Sequence, residues 1–198
     1  MSADMVLMAT GRKPVFPHGL KEAGIELNER GFIAVDERMR TSREGFYAAG
    51  DVTGICMLAH AASAQARVAL FHDDSIGTGL DIIPAAVFSV PEAAMVGLTA
   101  AECERHGIEY NTARCNYASN GKAQAEGVAS SGLVKIVYNP HTRLILGVHI
   151  LGAHASDLVA EAAALIYGMT SIDDLAQGLV HCHPTLSELL QTAARAAK

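Results

Sequence analysis

With 198 residues, half of them hydrophobic, the chain can bury one good-sized core, or one small core beside part of another. A net charge of -6 with 18% charged residues, five Phe, five Tyr and no Trp argues against a nucleic-acid binder. No apolar run approaches a membrane span and the N-terminus lacks the basic-then-apolar order of a secretory signal, so a cytoplasmic protein with no membrane partner is expected.

In chain order, residues 5–9 form a short apolar run ended by Gly11 and Pro14, which reads as a buried strand leaving a sheet. Residues 20–27 read as a short helix stopped by Gly24 and then a strand, and residues 31–36 alternate as a strand does. Residues 46–52 read as a buried strand ending in Gly50-Asp51, the place in open α/β sheets where ligands collect. A carboxylate there can accept hydrogen bonds from sugar or ribitol hydroxyls; the plainer alternative is a solvated turn aspartate. Met57-Leu58-Ala59-His60 runs into an alanine-rich helix that continues to about Phe71. Its N-terminus offers free amides and partial positive charge, and its small side chains allow close packing against a flat ring. His60 by itself reads equally as a packing or capping residue.

The character changes after residues 73–79, and a domain boundary is expected near residue 80. Residues 84–92 read as a strand bracketed by prolines and residues 94–97 as another. Thr99 and Glu102 form a capping box opening a helix that Gly107 ends. Residues 110–117 read as a strand, and residues 132–138, the turn 139–142 and residues 144–151 as an antiparallel hairpin. Ala155, Leu158, Val159, Ala162, Leu165 and Ile166 mark one face of a helix stopping at Gly168, and a short helix runs from Ser171 to Gly178. Antiparallel strands with helices on one face describe an α+β fold.

Near the end, His181-Cys182-His183-Pro184-Thr185-Leu186-Ser187-Glu188 breaks a polar turn and opens a final helix through Leu189, Leu190 and Ala194. Imidazole titrates near neutrality, and a carboxylate in reach fixes its tautomer. His183 and Glu188 are therefore a candidate base and its orienting carboxylate, with Pro184 restricting the residue before it. The competing structural reading is a capping box, in which Glu188 serves Thr185 and the helix start alone. A third reading, His181, Cys182 and His183 as metal ligands, lacks the second spaced pair that completes a tetrahedral site, so no metal is expected. The cysteines, Cys56, Cys103, Cys115 and Cys182, are scattered without C-x-x-C spacing, the pattern of reduced cytosolic thiols. No G-x-G-x-x-G phosphate turn is present among the eighteen glycines.

His-Pro-Thr-Leu-Ser-Glu at 183–188 resembles the signature of the dihydrolipoyl dehydrogenases, within the pyridine nucleotide-disulfide oxidoreductases. Five further segments resemble the same family: Ala-Thr-Gly-Arg-x-Pro at 9–14, Tyr-Ala-x-Gly-Asp at 47–51, Met-Leu-Ala-His at 57–60, Pro-Glu-Ala-x-x-Val-Gly-Leu-Thr at 91–99, and Gly-Val-His-Ile-x-Gly-x-His-Ala at 147–155. The resemblance implies the end of an NAD-binding domain at 1–14, the C-terminal part of an α/β FAD-binding domain at 15–80, and an interface (dimerisation) domain at 81–198. It implies Gly11 beside the nicotinamide nucleotide, although a turn glycine would look the same. It also implies Asp51 on the flavin ribityl chain, and Met57, Leu58, Ala59 and His60 against the isoalloxazine. His183 would take a proton from a dihydrolipoyl thiol, with Glu188 orienting it.

What is implied for the whole is a homodimer that passes electrons from dihydrolipoamide through a redox disulfide and FAD to NAD. Its partner would be the lipoyl domain of a 2-oxo acid dehydrogenase complex. The family's close cysteine pair and first flavin fingerprint are missing here. The chain is therefore expected to be the C-terminal portion of such an enzyme, an expressed fragment or truncated frame, inactive alone. Mercuric reductase, glutathione reductase, soluble transhydrogenase and a non-catalytic dimerisation module remain as alternatives.

Overall fold

The computed structural model describes residues 2–71 and 79–198. Most of the 73–79 stretch, after which a boundary near residue 80 is expected, lies outside them. The chain divides into two compact units, Met1–Leu80 and Asp81–Lys198.

Among the described residues, the regular structure of the first unit is a helix, α1 (Ala59–Phe71), a single 3-10 turn at Asp51–Thr53, and the isolated bridges Leu27↔Ile33 and Arg40↔Tyr47. The strands expected at 5–9, 31–36 and 46–52 do not form. A strand is held by ladder hydrogen bonds to a neighbour, and residues 5–9 have none; Met5, Val6, Leu7 and Met8 lie between 77% and 88% exposed. The helix expected from residue 20 is one turn, closed by Ala23 N–H to Gly19 O at 2.8 Å and by Ile25 N–H to Leu20 O at 3.3 Å. One turn fixes several dihedrals for few bonds and does not propagate past Gly24, which takes φ 71°. The unit's small core is Phe32, Ile33, Met39, Ala48 and Ala61. Gly54 sits so close to the Phe32 ring that any Cβ would overlap it.

The second unit follows its local sequence patterns closely. Its strands are β1 (Ala85–Val87), β2 (Ala93–Gly97), β3 (Asn111–Asn116), β4 (Leu133–Tyr138) and β5 (Ile145–Leu151). They form one antiparallel sheet in the order β1-β2-β5-β4-β3. The strand expected across 84–92 shortens to three residues, ending before the cis Val90–Pro91 peptide. The β4–β5 hairpin turns through Asn139, whose side-chain oxygen accepts from the N–H groups of His141 and Thr142. Alternation sends Val134, Ile136 and Tyr138 to the same face as Val148 and Ile150, all buried. Between the strands lie α2 (Ala100–His106) and the short α3 (Gly121–Ala125).

That buried face is covered by two helices. The first, α4 (Ala155–Tyr167), buries Ala155, Leu158, Val159, Ala162 and Leu165 against β2 and β5. The second, α5 (Glu188–Arg195), buries Leu189, Leu190, Ala193 and Ala194 and packs on β3 and β4. Each such leucine contributes about 1.5–3 kcal/mol by leaving water. The short helix expected before Gly178 is wound as a π turn at Asp174–Gly178. The capping box at α2 forms as the sequence predicts: Glu102 N–H donates to Thr99 Oγ1 at 3.1 Å and Thr99 N–H to Glu102 Oε2 at 2.8 Å.

Candidate functional site

The arm between the π turn and α5 carries the histidines. Leu186 is buried and anchors the helix start, while Thr185 is tied to α3 by Asn120 Nδ2, which donates to the Thr185 carbonyl at 2.9 Å. The His183–Pro184 peptide is cis, and Thr185 Oγ1 closes the turn by donating to Cys182 O at 2.7 Å.

Glu188, the first residue of α5, reaches back over this turn with both oxygens. Oε2 accepts from Thr185 N–H at 2.8 Å and Oε1 lies 2.9 Å from His183 Nδ1. The two sequence readings of this glutamate are thus not rivals, since one carboxylate serves both. The reciprocal half of the capping box is absent because the Thr185 hydroxyl is spent on Cys182, and α5 begins with no side-chain cap at Ser187. The Thr185 amide first, then the His183 ring, and also the charge of His181, hold the Glu188 carboxyl below the usual carboxylate range. An ionised acceptor at Nδ1 fixes the proton there and leaves His183 Nε2 with its lone pair outward. The His183 side chain is 79% exposed while that of Glu188 is 25% exposed. This is the geometry of an oriented base whose working face is open.

His181 behaves differently. Its side chain is 9% exposed, its Nε2 lies 2.6 Å from Glu161 Oε1 on α4, and its buried Nδ1 has no partner among the described residues. His181 and His183 therefore turn to separate carboxylates, and among the described residues no group of three or more His, Cys, Asp or Glu is arranged to hold a metal. Sequence reasoning missed Glu161. Its signal is modest: it is the single charge in the apolar stretch 158–167.

In the first unit, Gly50 takes φ 84° and its N–H donates to the buried Gln65 Oε1 of α1 at 2.7 Å, while Thr53 Oγ1 donates to Gly50 O at 2.9 Å. These bonds set the Gly50-Asp51 turn at the side of α1, and Gln65 is a second residue that sequence reasoning passed over. Asp51 meets Arg12 at 3.3 Å across an exposed ion pair, so the segments at 9–14 and 47–51 come together. Gly11 takes φ 65°, and a Cβ there would meet nothing within 4 Å among the described residues. Met57 and Leu58 are half-buried and Ala59 and His60 are exposed at the start of α1. Cys56, Cys103, Cys115 and Cys182 are free thiols, and burial pushes Cys115 up to about 11. No helix among the described residues is long and apolar enough to cross a membrane.

Residues 83–194 match the dimerisation domain of the pyridine nucleotide-disulphide oxidoreductases, and residues 1–66 match a second domain of the same name. The chain belongs to the pyridine nucleotide-disulphide oxidoreductase family. Within that family it is 43% identical to a dihydrolipoyl dehydrogenase of Synechocystis, over all of this chain and 44% of that protein. It is 36% identical to one of Bacillus subtilis, over all of this chain and 42% of the relative. The chain thus spans less than half the length of the curated relatives it matches. Among solved structures, LpdA of Mycobacterium tuberculosis superimposes with TM-score 0.81 at 31% identity, covering 89% of this chain and 39% of that one. The HOCl-induced flavoprotein disulfide reductase RclA of Escherichia coli superimposes at 0.83 with 24% identity, over 96% of this chain and 44% of that one, a likeness of fold.

Proposed function

We propose that this chain is the C-terminal portion of a dihydrolipoyl dehydrogenase and that His183 is its proton-transfer residue in thiol–disulfide exchange. The observation that carries the reading is Glu188 holding His183 Nδ1 at 2.9 Å while its other oxygen is anchored to the Thr185 amide. The thiolate is the nucleophile in disulfide exchange. An imidazole with Nδ1 protonated and Nε2 bare can take the proton from a dihydrolipoyl thiol, and Glu188 then balances the imidazolium. The chain's cysteines include no close pair, so the reacting disulfide is assigned to the other part of the enzyme, on the partner subunit of a homodimer built by residues 81–198.

The first unit's residues fit a flavin and a nicotinamide nucleotide. Asp51 stands on a turn fixed by Gln65, and its partly exposed carboxylate, paired with Arg12, is an acceptor of the kind ribityl hydroxyls need. The start of α1 presents Ala59 and His60 beside half-buried Met57 and Leu58, and the partial positive charge of a helix N-terminus favours negative charge on a ring laid there. Gly11, with no atom of the described residues within 4 Å of where its Cβ would lie, suits close approach of the nicotinamide nucleotide. FAD, when bound, supplies the two-electron relay between disulfide and NAD. On this reading residues 1–14 close the NAD domain, 15–80 belong to the FAD domain and 81–198 form the interface domain. The substrate is dihydrolipoamide on a lipoyl domain of a 2-oxo acid dehydrogenase complex, in the cytoplasm.

The test is substitution in the longer flavoenzyme. His183→Gln is expected to lower NAD-linked dihydrolipoamide oxidation on the order of 10²–10⁴-fold, the span of a lost general base, with the dimer intact. Unchanged turnover would refute the assignment. The 198-residue chain alone is expected to show none of this activity.

A further inference from the structure

From Gln177 to Pro184 every residue is exposed except His181. The arm that presents His183 therefore has one inward side chain, and that side chain is held by a directed bond to Glu161 at 2.6 Å. A second tether, Gln191 Nε2 donating to Leu179 O at 2.7 Å, fixes the arm's other end to α5. Packing alone does not explain a histidine here. An apolar side chain would fill the same space without leaving a buried, unpartnered Nδ1, which costs free energy. What an imidazole adds is a donor of fixed direction: with Glu161 accepting at Nε2, the ring plane is set, and with it the backbone two residues before His183. Glu161 lies on α4, whose buried face is part of the core of the unit, so the bond ties the exposed arm to a helix packed into that core.

We propose that Glu161 and His181 form a positioning pair, seated beneath the exposed site, that holds the 179–183 arm on α4 and so keeps the His183 ring in register with Glu188. The inference rests on the reading of His183 as the exchange base, and it adds two residues that touch neither thiol nor disulfide. They act through the orientation of His183 alone.

The test reads the tautomer of each imidazole by ¹⁵N NMR in the purified chain, above about pH 8 where an ordinary imidazole is neutral. In the parent chain His183 is expected to carry its proton on Nδ1 and His181 on Nε2. Glu161→Leu is expected to lose the majority Nδ1–H signal of His183, moving it toward the free-imidazole mixture in which the Nε2–H form predominates. Glu161→Gln keeps an acceptor oxygen and is expected to restore the parent signal. A Glu161→Leu chain that melts earlier yet keeps the His183 tautomer would overturn the proposal, because the pair would then stabilise without positioning. Should that variant not fold, His181→Leu fills the site without the bond and carries the same two outcomes. A parent chain lacking the Nδ1–H preference at His183 would overturn both this inference and the His183 assignment, so the two failures are distinguishable.

Discussion

The two units of this chain match their family along most of their lengths, yet they are built to different standards. In the second unit each strand has a partner inside the unit, one face of the sheet is roofed by α4 and α5, and a continuous core runs from Ala94 to Ala194. In the first, α1 and a few turns carry the Gly50-Asp51 and Met57–His60 segments, while the apolar run at 5–8 stands in solvent. The difference teaches that a motif and the platform that makes it work are separate achievements. His183 is oriented by a carboxylate fixed at both oxygens on a packed helix. Asp51 is set by one buried glutamine, and its carboxylate meets an exposed arginine at 3.3 Å.

Breaking the platform gives the largest expected effect. Ile136→Ala in β4 is expected to lower the unfolding free energy by about 2–5 kcal/mol in urea titration. A loss no greater than about 0.5 kcal/mol, the scale of surface positions, would mean that the sheet is not the source of the second unit's order. The first unit is probed by Gln65→Leu, which leaves the Gly50 N–H buried without its acceptor, a cost of about 1–3 kcal/mol. Its readout is local: the Gly50 amide should exchange hydrogen faster while the β4 and β5 amides keep their protection, and equal loosening of both units would remove the contrast.

A smaller effect follows from acid. Thr99 bonds hold the Glu102 carboxyl below the usual range, and Ser156 N–H and Oγ do the same for Glu92. A carboxylate with a depressed folded pKa binds fewer protons folded than unfolded, so its contribution is complete above the ordinary glutamate value of about 4.3 and is lost as pH falls through the depressed one. The second unit should therefore lose stability below that value, and Glu102→Gln should flatten the acid limb of the melting-temperature profile. An unaltered limb would remove Glu102 from the account.

What was legible in the sequence was local. The capping box at Thr99, the β4–β5 hairpin and the α4 stripe each lie within one span of chain, and each formed as written. The His183–Glu188 pair was legible for the same reason, being five residues apart around a proline. The misread parts depend on partners elsewhere. Residues 5–9, 31–36 and 46–52 have strand composition, but a strand exists only with a ladder, and composition does not show whether one is available. Glu161 and His181 are twenty residues apart on different elements, and Gln65 reaches Gly50 across fifteen, so neither pairing leaves a mark in spacing. The Thr185 box was half right, because the threonine hydroxyl bonds Cys182 O and not the helix amide.

The most direct measurement of the central claim, a self-sufficient interface unit joined to an incomplete cofactor half-site, is the molar mass and absorption spectrum of the purified chain after gel filtration from excess FAD. The account predicts a colourless dimer: residues 81–198 associate on their own, while Asp51 and the start of α1 do not retain flavin without the phosphate-cradling turn that this sequence lacks. A yellow complex, or a monomer, would contradict it.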